Sequence, residues 1–127
     1  MMLDIKSLLA PKRLLITAIA YTIVITVAFL LPSIEEKPID IKNFDKALHV
    51  LIYVMLVFLW LLFFRNKLNL KTWCYILGTI FLYGIIIEAL QSSITTSRQA
   101  DVFDVLANSF GMLIGVILFF TISKKIS

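Results

Sequence analysis

Three sets of polar side chains stand at helical spacing inside stretches that are otherwise hydrocarbon. Asp45, His49 and Tyr53 follow one another at i, i+4 and i+8, and Gly84, Glu88 and Gln91 at i, i+4 and i+7, which puts each set on one face of a helix. Asp101, Asp104, Asn108, Gly111 and Gly115 share one arc of about 80°, taking 100° per residue. A carboxylate one turn from an imidazole can fix its tautomer and raise its basicity, so Asp45 orienting His49 as a base is the leading catalytic pairing. Glu88, in partly dry surroundings, is the candidate second proton-transfer group. Tyr53, Gln91, Arg98, Asp101, Asp104 and Asn108 are candidates for holding a substrate with a polar head, Arg98 by neutralising a phosphate or carboxylate. Ser92, Ser93, Thr95 and Thr96 lie nearby, but no motif selects one of them as a nucleophile. Asp45, His49, Glu88 and Asp104 are donors of the kind divalent cations take. No HExxH and no tight aspartate cluster organises them, so metal binding is weakly supported and no cofactor is expected.

Structural roles compete with the chemical ones. Asp45, Asp101 and Asp104 could cap helix N-termini, where a carboxylate accepts backbone N–H bonds and complements the helix dipole. Asn108 could be interhelical glue, and Gly111 and Gly115 form a GxxxG pair whose use is close approach of two helices. Packing within the bundle is favoured for that pair over a dimer face. His49 alone would suit a packing role. Glu88 needs a partner at its depth, and Arg98 and His49 are the candidates.

The surrounding chain says what must position these residues. Of 127 residues, 61% are hydrophobic and only 16% charged, against about 25% charged in a soluble domain. Mean hydropathy is +0.99. These numbers exclude a disordered chain and argue against a freely soluble enzyme. One cysteine, Cys74, excludes an internal disulfide and a multi-cysteine metal site. Four apolar runs, at about 14–31, 47–64, 72–91 and 104–122, each suit a bilayer core that about 17–25 helical residues cross. Strict alternation over about ten residues, the mark of a membrane β-barrel, is missing. In hydrocarbon the backbone must satisfy itself, so the runs are expected to be helices. The first run is too long for a signal peptide and has no A-x-A site closing it, and is read as an uncleaved span. Without an internal repeat, the expectation is an all-α membrane protein: one domain, 1–127, folded as a four-helix bundle, most simply from two helical hairpins.

Lysines and arginines orient the bundle. Lys6, Lys12 and Arg13, then Arg65, Lys67 and Lys71, then Lys124 and Lys125 fall on one side, against Lys37, Lys42, Lys46 and Arg98 on the other. Both termini are therefore expected in the cytoplasm, and the net charge of +4 reflects basic cytoplasmic segments rather than nucleic-acid binding. Trp60 and Trp73 are expected as belt residues toward the cytoplasmic interface. His49, Glu88 and Asn108 then each lie about one turn below the outer surface. Convergence of three helices at one depth is the strongest functional signal in the sequence.

In order and spacing, Asp45-Lys46-x-x-His49-x-x-x-Tyr53, then Glu88-x-x-Gln91, then Arg98-x-x-Asp101-x-x-Asp104-x-x-x-Asn108-x-x-Gly111-x-x-x-Gly115 resemble the VanZ-like family. The resemblance runs from about Pro32 to Gly115. It implies a small, multi-pass protein of the bacterial cytoplasmic membrane, in a family whose named member is associated with resistance to the glycopeptide teicoplanin. It supports the site assignment more than any reaction. Two readings follow: an enzyme acting from the outer side on a lipid-linked or cell-wall-related substrate, or a non-catalytic accessory protein that binds such a lipid or an antibiotic. A transporter is weaker, because polar groups at one end give no path across the bilayer. The expected partners are the bilayer and a lipid, cell-wall precursor or glycopeptide ligand, and the oligomeric state is open.

Overall fold

Long apolar stretches closed by helix-terminating chemistry become four helices. The computed structural model describes residues 10–30, 42–94 and 102–126. Helix α1 spans Pro11–Leu30, α2 Lys42–Phe63, α3 Leu70–Ile94 and α4 Val102–Ile126. Proline suits the first position of α1 because its missing N–H needs no partner there and its φ is already helical. Between α2 and α3 the chain makes a short 3₁₀ turn, Arg65–Lys67. The Arg65 guanidinium donates to the Leu62 carbonyl at 3.0 Å, satisfying one of the free acceptors at the end of α2. Asn69 then caps α3, its side-chain oxygen accepting from the Thr72 N–H at 2.9 Å.

All four helices contain a stretch long and apolar enough to cross a membrane: Pro11–Leu30, Lys46–Phe63, Leu70–Gln91 and Val102–Lys124. Their outer faces are hydrocarbon. Ile16, Val24, Leu82, Phe110, Leu113 and Ile117 are all more than half exposed, an arrangement that water would penalise and lipid does not. The interior is organised around α2, which supplies the most deeply buried large side chains, Tyr53, Leu56, Val57 and Leu61.

Contacts along the helices fix their directions. Thr22 meets Trp60 while Phe29 meets His49, so α1 and α2 are antiparallel. Trp73 packs on Phe119 and Phe120 near the start of α3 and the end of α4. Gly84, further along α3, faces Asn108 near the start of α4, so that pair is antiparallel too. The closest packing joins neither of these sequence neighbours. It joins α2 to α4, which run parallel: Lys46 reaches Asp104 and His49 reaches Asn108, at separations of 58 and 59 residues. The bundle is thus built on a central parallel pair, not on two self-contained hairpins.

Glycine makes that pair possible. A Cβ on Gly111 would overlap the Val50 carbonyl oxygen, and one on Gly115 would stand 2.8 Å from the Val54 carbonyl oxygen and 3.1 Å from the Val57 Cβ. The GxxxG step therefore seats α4 against the backbone of α2, the small-residue approach common between membrane helices. One end of the bundle is strongly basic. Lys12, Arg13, Arg65, Lys67, Lys71 and Lys124 lie there, while the acids whose side chains are described, Glu88 and Asp104, are at the other. Trp60 packs on Phe63 and Phe64 toward the basic end, and Trp73 stacks on Phe120 there.

Candidate functional site

At the opposite end, the last turns of α1 and α3 meet the first turns of α2 and α4. His49, Tyr53, Glu88, Gln91, Asp104 and Asn108 all come together there, each less than a tenth exposed. Burying polar atoms is costly unless they are paired, and most of these are paired across helices.

The His49 ring nitrogen Nδ1 lies 3.0 Å from Asn108 Oδ1. An amide oxygen only accepts, so Nδ1 carries the proton and the neutral ring keeps its lone pair on Nε2. Phe29, in the last turn of α1, stacks on the imidazole with centroids 5.2 Å apart. Gln91 Nε2 donates to the Phe29 carbonyl at 2.9 Å, tying α3 to the end of α1. Lys46 Nζ donates to Asp104 Oδ1 at 2.8 Å. Asp104 stands inside the first turn of α4, where its charge also complements the helix dipole; its carboxylate bridges to α2.

Gly84, Tyr53 and Asn108 meet deeper in the bundle. A Cβ on Gly84 would fall 3.0 Å from Asn108 Nδ2 and 3.3 Å from the Tyr53 hydroxyl, so the glycine makes room for both. Glu88 is close enough to Tyr53 to interact with it electrostatically. The Tyr53 hydroxyl is fully enclosed, yet among the described residues it is the buried side-chain polar atom that has no hydrogen-bond partner. An orphaned buried hydroxyl is uncommon and calls for an explanation, such as a water or a ligand atom.

The structure bears on the candidate residues unevenly. Arg98 and Asp101 lie outside the described residues, and for Asp45 only its place on α2 is described. Asn108 is thus the described group that orients His49. Three helices do contribute at one depth. Gly84, Glu88 and Gln91 are all buried, as expected for one face of α3. Two members were not assigned from sequence. Lys46 stood in the motif beside Asp45, but was counted only for topology. Phe29 carried no spacing signal, because an aromatic residue near the end of an apolar run looks like any other. A second polar layer was also missed. The Tyr21 hydroxyl donates to the Ile52 carbonyl at 2.8 Å, Trp60 Nε1 donates to Thr22 Oγ1 at 3.1 Å, and Thr26 and Tyr83 share a hydroxyl–hydroxyl bond. The adjacent pair Tyr21-Thr22 with Thr26 one turn on was its only trace in the sequence.

Among the described residues, no three His, Cys, Asp or Glu side chains are grouped to hold a metal ion. A cation between His49 and Asp104 would compete with the Asn108 and Lys46 contacts just described. The arrangement suits proton exchange at one imidazole nitrogen and hydrogen bonding to a polar group.

Fold and site thus define a four-helix, all-α membrane protein with a buried polar cluster at one end of the bundle. The chain belongs to the VanZ/LLP1 family, whose model matches residues 13–123. Neither a curated protein nor a solved structure matches it.

Proposed function

We propose that the polar cluster faces the outside of a bacterial cytoplasmic membrane, with both termini inside, and receives the polar head of a lipid-linked or cell-wall-related substrate. The orientation rests on the lysine and arginine count. The substrate class rests on the cluster's place at the end of a lipid-embedded bundle and on the family's association with glycopeptide resistance. The observation that carries the reading is the Tyr53 hydroxyl, buried without a partner beside Asn108 Nδ2. A group held in this way at a cost in stability is a candidate for a contact made only when ligand is present. In the catalytic form of this reading, His49 Nε2 is the base, Asn108 sets its tautomer, Asp45 stabilises the imidazolium that forms, Glu88 is the second proton-transfer group, and Arg98, Asp101, Asp104, Gln91 and Tyr53 hold the substrate.

Tyr53→Phe is the decisive variant. Removing an orphaned hydroxyl should leave stability unchanged or raise it by up to about 1 kcal/mol, while abolishing retention or turnover of envelope lipid, read by mass spectrometry of protein purified from its host membrane. A variant that keeps wild-type lipid retention and turnover would sink the proposal. His49→Gln and Glu88→Gln then separate the two forms: loss of product with lipid still bound points to catalysis, and unchanged lipid chemistry points to an accessory role. The cross-helix bonds Lys46–Asp104, His49–Asn108 and Gln91–Phe29 favour the accessory form, because they already engage much of the cluster in holding the helices together.

A further inference from the structure

The basic end of the bundle carries a cavity that the polar cluster does not use. It has a volume of about 460 Å³ and lies between the end of α2, the 3₁₀ turn and the last turns of α4, a size within the usual range for ligand pockets. Its wall is part hydrocarbon and part polar. Leu62, Leu68, Phe119 and Phe120 are hydrocarbon, while Arg65, Asn66 and Ser123 are polar. Phe119 is almost fully buried.

Among the described residues, the charged side chains at this end are all basic. Lys67 and Lys124 are sequence neighbours of lining residues, Lys12, Arg13 and Lys71 lie at the same end of the bundle, and the described acids lie at the other. The guanidinium of Arg65 donates to the Leu62 carbonyl at 3.0 Å, which holds it at the cavity wall. A fixed guanidinium matches the oxygens of a phosphate in a way that a flexible ammonium does not. A cavity that joins a hydrocarbon wall to a cation, at the depth where a transmembrane helix ends, matches a molecule with the same two parts.

We infer that this cavity binds an anionic phospholipid, its phosphate at Arg65 with Asn66 and Ser123, and the upper part of one acyl chain against Leu68, Phe119 and Phe120. Basic pockets between membrane helices bind anionic headgroups through the attraction measured for cationic segments at charged membrane surfaces. The inference is independent of the polar cluster at the other end.

The test is native mass spectrometry of the full chain in detergent, titrated with phosphatidylglycerol or with phosphatidylcholine of the same acyl chains. The wild-type protein is expected to hold the first phosphatidylglycerol at least about fivefold more tightly, the factor expected of one cation at an anionic headgroup. Arg65→Gln should bring that preference close to one. Ser123→Phe, which fills the cavity and leaves the charge unchanged, should do the same, while Lys71→Gln, off the cavity wall, should keep most of it. Equal affinity for the two lipids would overturn the inference. So would a preference that survives Ser123→Phe, which would assign it to surface charge alone. Displacement of the lipid by inorganic phosphate would overturn it as well, because the cavity would then be a site for the free ion.

Discussion

Gly111→Ala should force α2 and α4 apart and loosen the polar cluster with them. The added methyl would stand 3.1 Å from both the Tyr53 Cβ and the Val50 carbonyl carbon, and nearer still to the Val50 oxygen, whereas ordinary contact begins at 3.4 Å. Backbone cannot swing aside as a side-chain tip can, so the helices must part by at least about half an ångström near this point. Asn108 lies three residues away, about 4.5 Å along the helix axis. The same parting stretches the His49–Asn108 bond from 3.0 Å to at least about 3.5 Å, where little of it survives. Overpacking of this kind costs about 1–3 kcal/mol, and a weakened interhelical hydrogen bond adds about 0.6 kcal/mol. Gly78 is the internal control, because a Cβ there meets nothing within 4 Å. Gly78→Ala should gain about 0.5–1 kcal/mol from helix propensity alone. The assay is reversible unfolding of both variants in micelles, followed by ¹⁵N NMR of the histidine ring, which needs no assignment because His49 is the only histidine. Stabilities that change equally in the two variants, with an unmoved His49 resonance in Gly111→Ala, would refute the reasoning.

Three further outcomes are expected. In a double-mutant cycle, Lys46→Met and Asp104→Asn should show a coupling of about 1 kcal/mol, modest because the Lys46 side chain is about a third exposed; additivity would mean that the pair contributes nothing. Thr22→Val removes the acceptor of the Trp60 indole, which should cost about 1 kcal/mol and move the Trp60 indole N–H resonance while leaving that of Trp73 in place. Gly84→Ala presses on side-chain tips rather than backbone, so it should cost less than Gly111→Ala in unfolding experiments while still shifting the His49 ring signals through Asn108.

Much of this protein was legible locally. Span length and apolar content are local properties, and a backbone in hydrocarbon has few ways to satisfy itself, so four helices followed from four runs. The buried faces of α2, α3 and α4 were readable too, because helical spacing alone places His49 with Tyr53, Glu88 with Gln91 and Asp104 with Asn108. Gly111 and Gly115 announced a close approach without saying to what. Phe29 was invisible, since an aromatic residue in an apolar run gives no sign of which neighbour it will cover.

The sequence by itself determined a membrane bundle with polar residues gathered at one end, because hydrophobicity and helical period act residue by residue along the chain. Only the tertiary structure decided that α2 and α4 form the central parallel pair, that His49 is held by Asn108, that Lys46 answers Asp104, and that the Tyr53 hydroxyl is left without a partner. Those outcomes depend on which helices approach and at what register. Close packing against two glycines settles that, and nothing in the spacing of any one helix contains it.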